Sequence, residues 1–330
     1  MDIDFLRALT EVPSVGTACG PVWRLLTARF GDRFTRHCVP DGFCYFAPEG
    51  PSGAPVSPSV VFVAHVDEVG GCVLGPCDSG GYHTRFWGNT PDVFAAASLQ
   101  AWDYLAEEAT QAFPVRMEVL QDASETRLIL HGENVRPYRT VWTFLEKTVI
   151  TGDVIEGKAL DPRVTVFAVT EAVRALNMPE VGALFVMAEE CAMDVARKAV
   201  LFLERLCGGC PGTTLRRIIN ADVPGVQNLE GGQLDLPAIR IYEGRNFIDP
   251  ACGIRASEAM RARGVAHHLT AARSGSQTLL FTPLAPTLSV ALPGEGVHLP
   301  RARMSLQGVE RCIALLCALA EHALEEGAAL

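Results

Sequence analysis

The sequence predicts an α/β protein in which helices cover both faces of a sheet. Three observations lead to this prediction. Short apolar runs rich in β-branched residues alternate with longer segments of helical spacing, as in α/β sheets. The chain of 330 residues is 48% hydrophobic, which is enough to bury a large core. The alternation stops between about Val73 and Glu156, which indicates a smaller domain inserted into the α/β domain.

Each element of the α/β domain follows from its local pattern. A turn-rich patch, APEGPSGAPVSPS, precedes the β-branched run VVFVA, which is typical of a buried strand. Similar apolar runs predict strands at Leu184–Met187, Leu215–Ala221 and Leu288–Leu292. Apolar residues at helical spacing predict helices at Asp4–Val12, Val22–Phe30, Val164–Leu176, Asp194–Leu206, Ile254–Arg263 and Leu306–Leu324.

The inserted stretch has a different pattern. It mixes Gly-rich turns, a segment with helical spacing, DVFAAASLQAWDYLAEEA, and short alternating runs such as RLILHG. The α/β rhythm resumes at GKALDPRVTVF. We therefore expect residues 1–72 and 157–330 to form one α/β domain, and residues 73–156 to form the inserted domain.

Composition and charge argue against several classes of function. Lys and Arg total 28 against 38 Asp and Glu, a formal charge of -10, so neither nucleic acid nor an anionic membrane is an expected partner. No apolar run reaches the roughly 18 residues of a membrane span. The start, MDIDFLRALTEV, resembles no secretory signal, so we expect a cytoplasmic protein. The 11 scattered cysteines favour reduced thiols over a disulfide scaffold.

Polar side chains follow the predicted strands at the points where the strands end. Because ligands of open α/β sheets bind outside the carboxyl ends of the strands, we expect these side chains to share one crevice. The residues are His65 and Asp67 after VVFVA, Asp161 after GKAL, Glu189 and Glu190 after LFVMA, Asp222 after RRIINA, and His298 after TLSVALPGEGV.

This set matches the donors that a pair of divalent cations requires. Two such ions about 3.5–4 Å apart share one bridging carboxylate, and each takes a further histidine and a further carboxylate. The predicted metal ligands are His65, Asp161, Glu190, Asp222 and His298. Another carboxylate must take the proton of the bridging water, and Glu189 is the candidate. Asp67 is expected to orient a ligating imidazole or its neighbourhood.

Each of these residues also has an ordinary structural explanation. Glu189 and Glu190 suit the first turn of a helix, where acidic side chains meet the positive end of the helix dipole. Asp161 suits a helix N-cap, and Asp222, followed by VPG, suits a turn. His298 alone fits a loop or core histidine. Taken together, these explanations require every strand end to carry a metal-binding residue type for an unrelated reason.

Five segments, in order, resemble those of the M42 metallo-aminopeptidases, the glutamyl aminopeptidase and TET group. AHVDEVG resembles the family's H-M-D-E-I-G, GKALDPR resembles G-K-A-L-D-D-R, and VMAEEC resembles the E-E-V-G stretch. NADVPG and LPGEGVHLP fall where the later metal Asp and His segments lie. The match spans most of the chain outside residues 75–150.

The resemblance implies a zinc-exopeptidase-like fold, with a mixed sheet and a β-rich insertion used for dimerisation and substrate access. It implies two divalent metal ions per subunit, usually zinc or cobalt. It also implies an enzyme that removes N-terminal residues from peptide substrates. The subunits are expected to form homo-oligomers, from dimers to hollow dodecamers. By matched position the metals share Asp161 and take two further pairs, His65 with Asp222 and Glu190 with His298. Glu189 then matches the general base.

The chain departs from the family pattern near the site. The second Asp of D-D-R is Pro162, and related enzymes have a cis peptide after the bridging Asp. Since proline lowers the cost of a cis bond from roughly 2.5–4 to about 0.5–1 kcal/mol, we predict a cis Asp161–Pro162 bond. The acidic residue of the family's G-T-D-A is missing from GSQTLLF, and the Glu of H-S/T-P-x-E is missing from HLPRA.

Other functions fit part of the sequence. A carboxypeptidase or amide deacylase of the related M20 type would use similar ligands, but would tolerate a blocked N-terminus. A catalytically silent assembly protein would account for the altered pocket segments, although Glu189 and the ligands are intact. Relatives have also been labelled endoglucanases, a label that fits poorly because glycosidases use two opposed carboxylates. The sequence does not indicate the preferred N-terminal residue.

Overall fold

A computed structural model describes residues 1–50, 57–78, 80–105, 112–121, 126–208 and 215–328. The helices in these ranges are α1 (Ile3–Glu11), α2 (Gly20–Phe30), α3 (Pro91–Ala96), α4 (Leu160–Leu176), α5 (Ala196–Gly208), α6 (Pro250–Ala262), α7 (Thr278–Phe281) and α8 (Leu306–Ala328). The strands are β1 (Phe34–Val39), β2 (Phe43–Pro48), β3 (Val60–His65), β4 (Gly70–Pro76), β5 (Tyr82–Trp87), β6 (Leu99–Asp103), β7 (Phe113–Gln121), β8 (Thr126–His131), β9 (Thr140–Phe144), β10 (Val149–Thr151), β11 (Val154–Gly157), β12 (Val181–Val186), β13 (Arg217–Asp222), β14 (Ala238–Glu243), β15 (Asn246–Phe247), β16 (His268–Ala272), β17 (Thr287–Ala291) and β18 (Ala302–Ser305).

A nine-stranded mixed sheet forms the centre of the α/β part. Its order is β1-β2-β12-β3-β13-β17-β14-β15, and β16 pairs with β14. Strands β12, β3, β13 and β17 run parallel, whereas β2 and β14 flank them in the antiparallel sense. The parallel strands are almost entirely buried, which explains their continuous apolar sequences. Their carboxyl ends therefore share one edge of the sheet.

Helices cover both faces of this sheet, as predicted. Phe62 and Ala64 of β3 belong to the core that contains buried residues of α1, α2, α4, α6 and α8. Val61 and Val63 point to the opposite face and pack with buried residues of α5 and α7. This alternation follows from the two-residue period of a strand. None of the described helices has the length and apolarity needed to cross a bilayer.

Strands β4 to β9, which lie between β3 and β10 in the chain, form a closed barrel, which confirms the expected β-rich insertion. The barrel order is β4-β5-β8-β7-β6-β9. Phe94 of α3 fills its interior, 5.2 Å from the ring of Phe144 and 4.9 Å from that of Trp142. Strands β10, β11 and β18 form a separate three-stranded sheet, in which β11 pairs with both β10 and β18. The division of the chain into residues 1–72 with 157–330 and residues 73–156 stays a prediction.

One predicted helical segment is only partly helical. The spacing of DVFAAASLQAWDYLAEEA indicates a helix, but α3 ends at Ala96 and the chain continues as β6. β6 pairs with β9 along its whole length and with β7 from Leu99 to Ala101, so cross-strand bonding overrides the local helical pattern. Residues 106–109 of this segment lie outside the described residues.

One cysteine pair contradicts the expectation of reduced thiols. Cys38 and Cys44 lie directly opposite each other in the β1–β2 hairpin and are joined by a disulfide, with their Cα atoms 4.1 Å apart. The number and scatter of cysteines could not identify this pair, because the register of the hairpin brings the two sulfurs together.

Candidate active site

The predicted site residues meet at the carboxyl edge of the parallel strands. His65 and Asp222 are the last residues of the neighbouring strands β3 and β13. Glu189 and Glu190 follow β12 in a turn, and the loop after β17 carries a further histidine, His298. The fold thus delivers donors from several distant segments to one place, although Asp161 lies in the first turn of α4 and does not follow a strand of the central sheet.

One group of donors surrounds His65. Its Nε2 lies 3.2 Å from Asp161 Oδ1 and 3.5 Å from Asp222 Oδ1. All three side chains are buried. An imidazole and two carboxylates at this spacing form the donor set expected for one cation position.

A second group surrounds His298. Its Nε2 lies 3.0 Å from Glu190 Oε1 and 3.2 Å from Asp161 Oδ2. The two oxygens of Asp161 therefore face different histidines, since Oδ1 faces His65. This is the arrangement that a carboxylate bridging two cations requires.

The arrangement of the donor atoms suits bound cations better than hydrogen bonds between the side chains. Within the described ranges, Asp161 Oδ1 and Glu190 Oε1 are buried and accept no hydrogen bond, although histidine nitrogens lie 3.2 and 3.0 Å away. Donor atoms of His65, Asp161 and Glu190 all lie within 4.8 Å of one another. A cation that binds nitrogen and oxygen at about 2.0–2.2 Å fits between atoms so spaced.

Electrostatics also favours positive charge at this site. Burial lowers the pKa of His298, but Asp161 and Glu190 outweigh this effect and raise the pKa to about 11. Burial raises the pKa of Glu189, His65 lowers it, and nearby carboxylates raise it again, so it stands well above its usual value. Crowded buried carboxylates hold protons unless a cation neutralises them.

Asp67, the residue expected to orient a ligating imidazole or its neighbourhood, lies beside His65 and beside the turn of the paired glutamates. Its Oδ1 accepts the backbone N–H of Glu189 at 3.0 Å, and its Oδ2 accepts that of Glu190 at 3.2 Å. Oδ1 also lies 3.5 Å from His65 Nδ1. A single buried carboxylate thus connects the end of β3 to the turn that follows β12.

The backbone near the site is strained. Ala159 (φ 53°), Ala188 (φ 63°) and His298 (φ 69°) occupy the left-handed region, which costs a residue other than glycine about 1–3 kcal/mol. Each lies within two residues of a predicted ligand or is one. The predicted cis bond between Asp161 and Pro162 is present.

The structure contradicts the ordinary explanation for the paired glutamates. The helix predicted from Asp194 begins at Ala196, so Glu189 and Glu190 lie well before its first turn. Their negative charge is therefore not explained by the dipole of that helix. Asp161 has extended backbone angles (φ −83°, ψ 117°) before Pro162, as an N-cap residue does, but its two carboxylate oxygens face His65 and His298.

Sequence reasoning missed a buried arginine that supports Asp222. Arg240 of β14 donates from Nη1 to Asp222 Oδ2 at 3.2 Å, and its Nη2 lies 2.9 Å from Glu243 Oε1. Arg240 and Glu243 are both buried. The available signal was a pair of opposite charges three residues apart in the otherwise apolar segment AIRIYE, which is a pattern of a buried ion pair.

A second buried ion pair connects two of the site motifs. Lys158, from GKALDPR, donates to both Glu68 oxygens at 2.7 and 2.8 Å, and Glu68 comes from AHVDEVG. Glu68 also accepts from the Ser14 N–H at 3.1 Å and from the hydroxyl of Thr143, in barrel strand β9, at 3.0 Å. This pair holds the segments that carry His65 and Asp161 in register.

Replacing Lys158 with methionine is expected to lower the free energy of unfolding by about 3–5 kcal/mol, because Glu68 would stay buried without its main counter-charge. Urea unfolding followed by circular dichroism measures the loss. Lys147→Met is the control, since the Lys147 side chain is 80% exposed and its pair with Glu11 is worth at most about 1 kcal/mol. Equal losses in the two variants would contradict the role of Lys158.

A cavity of about 170 Å³ lies over the donor cluster. The additional residues that line it are Val223, Pro224, Gly225, Gln227, Asn228, Ser274, Gly275 and Val297. They are uncharged, and Gly275 begins the GSQTLLF segment in which the family's acidic residue is missing. Glu189 lines the same cavity as the predicted ligands.

Comparison with known proteins relates this fold to peptidases. No family model and no curated protein matches the sequence. Among solved structures, a TET aminopeptidase from a marine sediment archaeon of the Thaumarchaeota is 13% identical, with a TM-score of 0.80 over 98% of each chain. The TET1 peptidase of Pyrococcus horikoshii is 16% identical, with a TM-score of 0.77 over 96% of this chain and 98% of its own.

A third solved structure is similar to the same extent. An aminopeptidase of Desulfurococcus kamchatkensis is 16% identical, with a TM-score of 0.75 over 97% of this chain and 94% of its own. At these low identities the likeness establishes the fold. The chain therefore shares its overall fold with these aminopeptidases, as the sequence motifs implied.

Proposed function

We propose that this protein is a metal-dependent aminopeptidase of the M42 type that removes N-terminal residues from peptides. One observation carries the proposal: the two oxygens of Asp161 face His65 and His298 separately, at 3.2 Å each. A carboxylate in that position is suited to bridge two cations. The shared fold with TET aminopeptidases supports the choice of peptides as substrates.

The chain offers ligands for both cations. Asp161 would be shared, with His65 and Asp222 completing one position and Glu190 and His298 completing the other. Zinc or cobalt suits this mixture of imidazole and carboxylate donors. When bound, such a pair of ions polarises a carbonyl group and lowers the pKa of a bound water towards neutrality.

Glu189 is the residue that would move the proton. It lines the cavity beside the ligands, and the hydrogen bond from its backbone N–H to Asp67 holds its turn in place. In its ionised form the Glu189 carboxylate accepts one proton from the attacking water. It then returns that proton to the leaving amine, so the residue ends the cycle unchanged.

A panel of aminoacyl p-nitroanilides, assayed with zinc or cobalt, tests the proposed reaction. We expect release of p-nitroaniline from some free-amine substrates and none from their N-acetylated forms. Cleavage of the acetylated forms would instead favour the M20-type deacylase. Two bound metals without hydrolysis of any substrate or peptide would favour the catalytically silent assembly protein.

We also infer that the chain forms a homo-oligomer. The TET1 peptidase of Pyrococcus horikoshii is described as assembling into a tetrahedron or a large octahedral shell, and its fold matches nearly the whole of this chain. Native mass spectrometry measures the state directly. A purely monomeric protein at micromolar concentration would contradict the inference.

A further inference from the structure

The two histidines of the site are held in different ways. His65 ends strand β3, its side chain is only 2% exposed, and its backbone pairs with β12. His298 lies in a loop, is 34% exposed at its side chain, and has a left-handed backbone (φ 69°). No strand ladder orients His298, so other contacts must hold its imidazole against Asp161 and Glu190.

A residue of the inserted barrel makes such a contact. Asn89 Nδ2 donates to the backbone carbonyl of His298 at 2.6 Å, although the two residues are 209 positions apart. Asn89 Oδ1 accepts the N–H of Thr90 at 2.8 Å. Because the oxygen is occupied by Thr90, the amide turns its N–H towards His298.

The turn that carries Asn89 is itself held firmly. Asn89 follows Gly88, whose φ of +82° brings the backbone so close to Val69 that a Cβ at this position would collide with the Val69 side chain. Helix α3 follows directly, and its Phe94 packs in the barrel interior against Trp142. Packing contacts therefore hold the backbone on both sides of Asn89 while its side chain reaches His298.

We propose that Asn89 is a positioning residue through which the inserted barrel holds His298 for cation binding. The hydrogen bond that the His298 carbonyl accepts fixes the peptide plane after His298. It thereby fixes the direction in which the His298 side chain leaves the backbone. That direction keeps His298 Nε2 at 3.0 Å from Glu190 and 3.2 Å from Asp161. The inference rests on the proposed function, because it assumes that His298 is a metal ligand.

The cation position formed by His65 and Asp222 is supported by different contacts. Asp222 is held by Arg240 of the central sheet at 3.2 Å, and His65 belongs to a strand. Neither depends on the barrel turn at Asn89. Loss of the Asn89 hydrogen bond should therefore weaken the cation position of His298 and Glu190 and spare that of His65 and Asp222. A general loss of stability would weaken both positions.

Asn89→Asp is the matched variant, because a carboxylate keeps the shape and the acceptor for Thr90 but cannot donate to His298. Metal-free protein is titrated with Co²⁺ and followed by calorimetry and visible absorption. We expect two sites in the wild type. In the variant we expect one unchanged site and one about 10–100-fold weaker, the usual range when a hydrogen bond supporting a ligand is removed.

Three further variants make the result decisive. His298→Ala should weaken the same site as Asn89→Asp, and Thr90→Ala, at an exposed side chain of the same turn, should change neither. Asn89→Ala serves if the aspartate variant does not fold, which thermal melting reveals. Two unchanged sites in the Asn89 variants, or equal weakening of both, would overturn the proposal, as would a wild type with fewer than two sites. A wild type that binds two ions but cleaves no peptide would defeat the aminopeptidase proposal alone.

Discussion

Replacing Glu189 with glutamine is expected to lower kcat about 10²–10⁴-fold, the range that general acid–base catalysis contributes. The amide has nearly the same shape as the carboxylate but cannot accept a proton from water. The ion pairs in the donor cluster connect His65, Asp161, Asp222, Glu190 and His298, and Glu189 is not among them. The variant should therefore keep the metal content of the wild type.

Steady-state kinetics on the best chromogenic substrate, together with metal analysis of the same sample, measures both quantities. Glu180→Gln is the control, because Glu180 is exposed and lies at the opposite end of β12. Its kcat should stay within a factor of two of the wild type, as is usual for surface substitutions. A Glu189→Gln variant with nearly normal kcat would remove Glu189 from the proton-transfer role.

Replacing Asp161 with alanine is expected to remove both cations and all activity with them. Each oxygen of Asp161 faces a different histidine at 3.2 Å, so one substitution takes a ligand from both positions. Asp222→Ala is the comparison, because Asp222 contacts only the His65 group among the predicted ligands. That variant should keep the cation held by Glu190 and His298.

Metal analysis after exhaustive dialysis against metal-free buffer gives the stoichiometry of each variant. We expect close to two ions per chain in the wild type, one in Asp222→Ala and none in Asp161→Ala. Thermal melting of the metal-free proteins separates loss of ligands from loss of fold. An Asp161→Ala variant that still holds one ion at wild-type affinity would show that this carboxylate does not bridge.

Local patterns predicted the central part of the fold well and its edges poorly. Strands β3, β12, β13 and β17 were predicted because strands buried on both faces read as continuous apolar runs. The edge strand β1, with the sequence FTRHCV and an exposed face, has no such run and was not predicted. The helical spacing after Asp92 was misleading beyond α3, because pairing within the barrel outweighs local propensity.

By itself the sequence determined which donors stand at the strand ends and what chemistry they can perform. These follow from side-chain type and from strand patterns, both of which are local. Only the tertiary structure decided that Asp161 divides its oxygens between His65 and His298, and that Asn89 reaches His298 across 209 residues. Such contacts depend on strand register and on how the barrel packs against the sheet, and no local pattern encodes the distance between segments so far apart in the chain.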